Sequence, residues 1–417
     1  MRRSFLTVAL VSLASSAILF GAPLTSGGRV WPQTGPPPTP VPPFGSPSPY
    51  PTALRTPETP ELEPVLSSPS GALVDLDSGR VLYATGSSIR RPIASTTKIM
   101  TALLVLNSAD MREVVTVSPL AAAQGGASLG LVSEERIRVR DLMFALMLQS
   151  SNDAAVALAE HVAGSVDAFV ERMNRRARAM GLRDTRFRSP NGLDDRGYST
   201  ALDLSRITVR AVRNPALARI ARTKFHSVPS PGGETRRLQN RNALLWLYPG
   251  AFGVKSGFTS AAGSCLVAAA ERDGLRLVSV VLGAPAEAFS DAATLLDWGF
   301  TTFELRRVVI EGERFDPVRI GGSEVAPEAA ATLKVMVRRD AEVTRRVALD
   351  TELALPIAEG ERLGELLVAS RGGRELGRTP LVSPEAVSFP PADLPWAHRM
   401  WEQASVFLAT MFRSLLG

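Results

Sequence analysis

Ser95 and Lys98 are the first side chains in the sequence whose types and spacing could do chemistry. They stand three residues apart in RPIASTTKIMTALLVLNSAD (91–110). Ile99, Met100, Leu103, Leu104 and Leu106 recur there at the spacing of a buried helix, and Pro92 with the small polar residues after it suits a helix entrance. Residues i and i+3 share a face, so a serine hydroxyl would lie beside a lysine amine at the positive end of a helix. Such a pair can act as nucleophile and base once the amine's pKa is low enough to take a proton near neutrality. Two more short motifs follow in order: Ser150, Ser151 and Asn152 in a break between helical patterns, and Lys255, Ser256 and Gly257 on a strand.

A serine and a lysine at this spacing are common by chance, and an ordinary capping serine is the bland alternative. Lysine usage argues against it. Lys98, Lys224, Lys255 and Lys334 are the only lysines in 417 residues, and arginine carries the remaining positive charge. Arginine does not lose its proton in proteins and cannot serve as a base. Lys224 and Lys334 have no comparable role and read as surface residues.

With 45% hydrophobic and 21% charged positions, the chain can hold two domains with cores, plus tails. A net charge of +6 suits an anionic envelope or membrane surface. No arginine run with interleaved aromatics occurs, so no nucleic-acid partner is expected. Cys265 is the only cysteine, which rules out an intramolecular disulfide. His161, His226 and His398 are the only histidines, without a G-x-S-x-G elbow, an H-E-x-x-H helix or a Cys/His cluster. A histidine triad and a metal hydrolase both lack their motifs, and neither metal nor cofactor is expected.

The elements that must position the motifs can be read in outline. Residues 1–27 form a signal peptide, with Arg2 and Arg3 ahead of an apolar stretch, so the protein is expected to be exported. Residues 28–66 form a proline-rich linker. A hairpin over 71–85 turns at Asp77, Ser78 and Gly79, and the Ser95 helix follows. Helices over 140–148 and 153–162 flank the Ser150 break; others cover 166–180 and the end of SPNGLDDRGYSTALDLSRITVRAV. Residues 250–284 read as two or three strands, with Lys255 on the first and a turn at Asp273 and Gly274. A helix over 286–300 closes the segment. Strands at both ends of 67–300 with helices between them imply one α/β (α+β) domain, a sheet of distant segments packed against a helical block. Residues 301–390 read as a small C-terminal all-β domain, with strands such as 332–337 and 366–370. Residues 393–417 form an amphipathic tail helix, its stripe including Trp396, Trp401 and Phe407 opposite Arg399, Glu402 and Arg413, suited to lie in a membrane interface.

The three ordered motifs resemble those of the penicillin-recognising serine enzymes. Within that group the chain resembles the low-molecular-mass D-alanyl-D-alanine carboxypeptidases, serine peptidase family S11. The likeness extends through RVRDLMFALMLQSSNDAA, RSPNGLDD, LQNRNALLW, GVKSGFTSAAG, LLDWGFTTFE and EGERLGELLVASRGGRELGRTPLV, and covers about 71–416. It implies that Ser95 forms an acyl-enzyme with Lys98 as general base, and that Ser150 relays a proton to the leaving amine. Asn152 would hold the substrate amide and help position Lys98. Lys255 would lower the Lys98 pKa and attract the substrate carboxylate, which Ser256 would bond, while Gly257 leaves room for the substrate backbone. The backbone amides of Ser95 and Phe258 would form an oxyanion hole. The implied reaction removes the terminal D-alanine of peptidoglycan stem peptides, with β-lactams as covalent inhibitors, on the outer face of the cytoplasmic membrane in a bacterial envelope. The chain departs from the family pattern at Ser256 for threonine, Ser151 for glycine and Phe258 for histidine. A D,D-endopeptidase and an inactive envelope-binding homologue stand as the alternatives.

Overall fold

The computed structural model describes residues 63–286, 288–388, 400–401 and 403–405. The signal peptide, nearly all of the linker and most of the tail helix lie outside the described residues. Met400 and Trp401 are helical and exposed, and no described helix is long and apolar enough to cross a membrane.

A five-stranded antiparallel sheet organises residues 67–302. Its order is Val81–Thr85, Ser70–Asp75, Leu275–Ala284, Gly263–Arg272, Ala251–Thr259. The first hairpin therefore joins the last three strands across some two hundred residues, through a register that sets Ser70 opposite Leu282 and Asp75 opposite Leu277. Both faces of the central strands are covered, which is why they are almost continuously apolar. Ala72, Val74, Val267, Ala269, Val278 and Val280 point into the helical block, whereas Leu73, Leu266, Ala268, Leu277 and Val281 meet the Ala288–Thr302 helix. The alternation follows from the two-residue period of a strand.

The helical block packs Ile99, Met100 and Leu103 of Lys98–Leu106 against Ala155 and Leu158 of Asn152–Ala163 and Leu204 and Ile207 of Ala201–Val212. The helical spacing predicts Ser95 in the first turn of an α-helix. The structure places it instead in a 3-10 turn, Ala94–Thr97, that precedes the α-helix. Ala94 has φ +45, outside the helical region, and Thr96 bonds back to Ile93 O through both N (3.1 Å) and Oγ1 (2.6 Å), tightening the entry. The helix read over 140–148 is two pieces, α-helical Val139–Phe144 and a π-helical turn Ala145–Gln149, which ends at Ser150 in the left-handed region with φ 66.

The strand Phe303–Val309 follows directly on the Ala288–Thr302 helix and pairs with Leu333–Arg338. A four-stranded sheet, Glu328–Ala329, Glu375–Val382, Arg362–Ser370, Val343–Leu349, completes this β region. Val309, Val335, Val337, Leu366, Val368 and Leu381 form a core of its own.

Candidate active site

Lys98 and Lys255 are 0% and 1% exposed, the two largest charged side chains among the described residues to be so completely enclosed. Lysine is almost never buried to this degree without a purpose that offsets the desolvation. The Lys98–Leu106 helix and the Ala251–Thr259 strand carry the two amines in from opposite sides. The strand is at the edge of the sheet, so one side of its backbone faces the helical block rather than a neighbouring strand.

Lys98 Nζ makes three contacts: Ser95 Oγ at 2.9 Å, Asn152 Oδ1 at 2.8 Å and Asn191 O at 2.7 Å. The last two are acceptors only. The Asn152 amide is oriented by its other end, whose Nδ2 donates to Gly125 O at 2.8 Å. A neutral amine has two N–H bonds and one lone pair. With both N–H bonds directed to Asn152 Oδ1 and Asn191 O, the lone pair is left for the Ser95 hydroxyl. Burial, reinforced by the positive charges of Lys255 and Arg241 and opposed by Asp153, holds the Lys98 pKa well below its ordinary value, which favours this neutral form. Burial and then Arg241 lower the Lys255 pKa to about 7.

Asn152 opens its helix, and Asp153 beside it fixes the facing loop by accepting from Leu129 N (3.0 Å), Leu131 N (3.1 Å) and Ser128 Oγ (2.6 Å). The hydroxyls of Ser150 and Ser151 are buried and have no hydrogen-bond partner among the described residues. Ser150 is thus present at the break but bonded to neither Ser95 nor Lys98. Lys255 Nζ donates to Ser256 O at 2.9 Å.

Gly257 lies against the turn that carries Ser95: a Cβ there would stand 2.8 Å from Ser95 N and 3.1 Å from Thr96 N. This close approach of strand to turn is a reason for glycine that the sequence reading did not contain. Phe258 is 40% exposed, and Thr259 Oγ1 donates to Asp195 Oδ1 at 2.7 Å, tying the strand to the loop that carries Asn191.

RSPNGLDD and LQNRNALLW, part of the family likeness, carry two further contributors to the site. Asn191 of the first supplies the carbonyl on Lys98, and Arg241 of the second, its own pKa lowered by burial, supplies positive charge near both lysines. Of the histidines, His161 pairs with Glu113 at 2.8 Å and His226 stacks on Phe144, neither of them bonded to Ser95; His398 lies outside the described residues.

The fold, with its half-buried Ser95 beside the buried Lys98 between an edge strand and a helical block, defines a serine hydrolase of the penicillin-recognising class. A model of the D-alanyl-D-alanine carboxypeptidase family, peptidase S11, matches residues 57–286. D-alanyl-D-alanine carboxypeptidase DacF of Bacillus subtilis is 30% identical over 330 residues, 76% of this chain and 85% of its own length. DacD of Escherichia coli is 34% identical over 348 residues, 78% of this chain and 88% of its own length. The solved structure of penicillin binding protein 5 from Haemophilus influenzae aligns with a TM-score of 0.61 at 30% identity, over 78% of this chain and 99% of that one. The chain belongs to the D-alanyl-D-alanine carboxypeptidase family.

Proposed function

We propose that the protein is a serine-type D-alanyl-D-alanine carboxypeptidase that removes the terminal D-alanine of peptidoglycan stem peptides through an acyl-enzyme on Ser95. The observation that carries this reading is the three-way contact of Lys98 Nζ, which leaves its lone pair for the Ser95 hydroxyl. In the first step Lys98 takes the hydroxyl proton as Ser95 Oγ bonds to the carbonyl carbon of the penultimate residue. The oxyanion is received by the backbone amides of Ser95 and Phe258, a reading that the close approach of Gly257 to Ser95 N supports. Collapse breaks the C–N bond, and the free D-alanine amine takes the proton, relayed from Lys98 through Ser150, whose unpartnered hydroxyl suits a transient role. Water then attacks the ester, with Lys98 again as base, and releases the shortened peptide and Ser95. Lys255 and Ser256 hold the terminal carboxylate of the substrate, and β-lactams acylate the same serine.

The likeness to envelope carboxypeptidases and the apolar stretch at 5–20 support export to the outer face of the cytoplasmic membrane. The tail stripe around Met400 and Trp401, both exposed, supports a peripheral hold on that membrane. The test is D-alanine release from a stem pentapeptide. Stoichiometric release by the parent and none by Ser95→Ala is expected; release by neither would favour the inactive envelope-binding homologue.

A further inference from the structure

A cleft of about 520 Å³ lies between the turn of the first hairpin and the C-terminal β region, away from Ser95. That size is typical of a small-molecule site, roughly 300–1,000 Å³. Three cations line it: Arg80 at the hairpin, Lys334 on Leu333–Arg338 and Arg374 at the start of Glu375–Val382. None of the three forms an ion pair among the described residues. In the same β region Arg306, Arg339, Arg345, Arg362 and Arg378 are all paired with carboxylates.

The acidic residues at the cleft do not fill that gap. Asp75 is committed to Ser78, Asp77 to Arg276, and Glu375 to Arg378 at 2.8 Å. The Arg80 side chain makes a long bond to Met336 O (3.5 Å) and a contact over the Phe303 ring; partial burial and then the repulsion of Arg374 lower its pKa, and the attraction of Asp75 offsets this only in part. An anion between the two guanidiniums would relieve this cost, and their forked donors match the several acceptors of a phosphate better than a single-point contact. Leu275, Leu305 and Met336 supply an apolar wall beside the charges.

We propose that this cleft binds a phosphate ester carrying an apolar substituent, with Arg80, Arg374 and Lys334 taking the phosphate and the Leu275, Leu305 and Met336 wall taking the substituent. The ester could arrive as a lipid headgroup or as a soluble metabolite, since both present the same chemistry. The ligand would touch the catalytic sheet and the β region at once. Lys334, one of only four lysines, then has a role that the catalytic site does not give it.

The test is calorimetric titration of the full chain with dihexanoyl phosphatidic acid below its micellar concentration, and with inorganic phosphate. The double variant Lys334→Gln/Arg374→Gln serves as the comparison, since both side chains are exposed. Saturable one-to-one binding of the ester is expected, about tenfold or more weaker in the double variant and about tenfold or more weaker for inorganic phosphate. The rate of penicillin acylation should be the same in both proteins, showing an intact catalytic site. Adding vesicles of anionic phospholipid distinguishes the sources: displacement of the soluble ester points to a lipid headgroup, and its retention to a soluble ester. Absence of saturable binding by the parent, equal binding by parent and double variant, or inorganic phosphate binding as tightly as the ester would each overturn the assignment.

Discussion

Asn152 Oδ1 lies 2.8 Å from Lys98 Nζ while Nδ2 of the same amide donates to Gly125 O at 2.8 Å. A flip of the amide would break both bonds, so Asn152 acts as a fixed acceptor that orients the amine. Without it, a Lys98 N–H loses its partner and the lone pair its direction. Asn152→Ala is expected to slow penicillin acylation by about 10²-fold or more, measured by stopped-flow with a fluorescent penicillin. An unchanged rate would mean that Asn191 O alone suffices to aim Lys98.

Gly257 is expected to tolerate no side chain, because its Cβ would press on Ser95 N at 2.8 Å, a backbone atom that cannot swing aside. Gly257→Ala should displace the Ser95 turn and cut acylation by ~10²-fold. The change is local to the cleft, so most of the fold should survive, as judged by thermal melting. Acylation at the parental rate would show that strand and turn can separate without consequence.

The pH profile should have two limbs. Acylation rises with pH as Lys98 loses its proton, at a pH well below the ordinary lysine value, and falls above about 7 as Lys255 loses the charge that holds the carboxylate. Lys255→Arg retains that charge, so the falling limb should move to higher pH in kcat/KM measured on a peptide. A falling limb that stays in place would remove Lys255 from this role. Both folded pKa values are depressed, so between about 7 and 10.5 the unfolded chain binds more protons and stability from these groups rises with pH. Lys255→Met, which removes a buried amine whose one bond among the described residues is to Ser256 O, should accordingly melt no lower than the parent at pH 7 while losing activity.

Ser150 presents the opposite case from Asn152. Its buried hydroxyl has no partner, so Ser150→Ala sacrifices no hydrogen bond in the resting protein and should change stability by less than ~1 kcal/mol. Peptide turnover should nevertheless fall by about 10²-fold, the scale of a proton-transfer role. Turnover equal to the parent's would show that Lys98 hands the proton over directly.

The three motifs were legible in the sequence because each marks a local event: a helix entrance, a helix break, and a strand with a glycine. The hairpin at Asp77–Gly79 and the strand turn at Asp273 were legible through their turn residues. The hairpin Phe225–Pro229 with Thr235–Gln239 and the helix Pro215–Arg222 were not read, although Asn214 caps that helix ahead of a proline at its first position. Helical periodicity does not distinguish the 3-10 entry at Ser95 or the π-turn before Ser150 from an ordinary α-helical turn. Asn191 acts through its backbone carbonyl, which every residue has, so side-chain chemistry could not point to it. Gly257 matters for what it lies against, across 162 residues of chain from Ser95, and only the assembled sheet and turn show that contact.

The most direct measurement is covalent labelling of the purified protein with a fluorescent penicillin, followed by mass analysis of its peptides, beside a Ser95→Ala variant. The expected result is one adduct, on Ser95, that disappears in the variant. A well-folded parent that takes no label, or one labelled at another residue, would contradict the assignment of Ser95 and Lys98 as nucleophile and base.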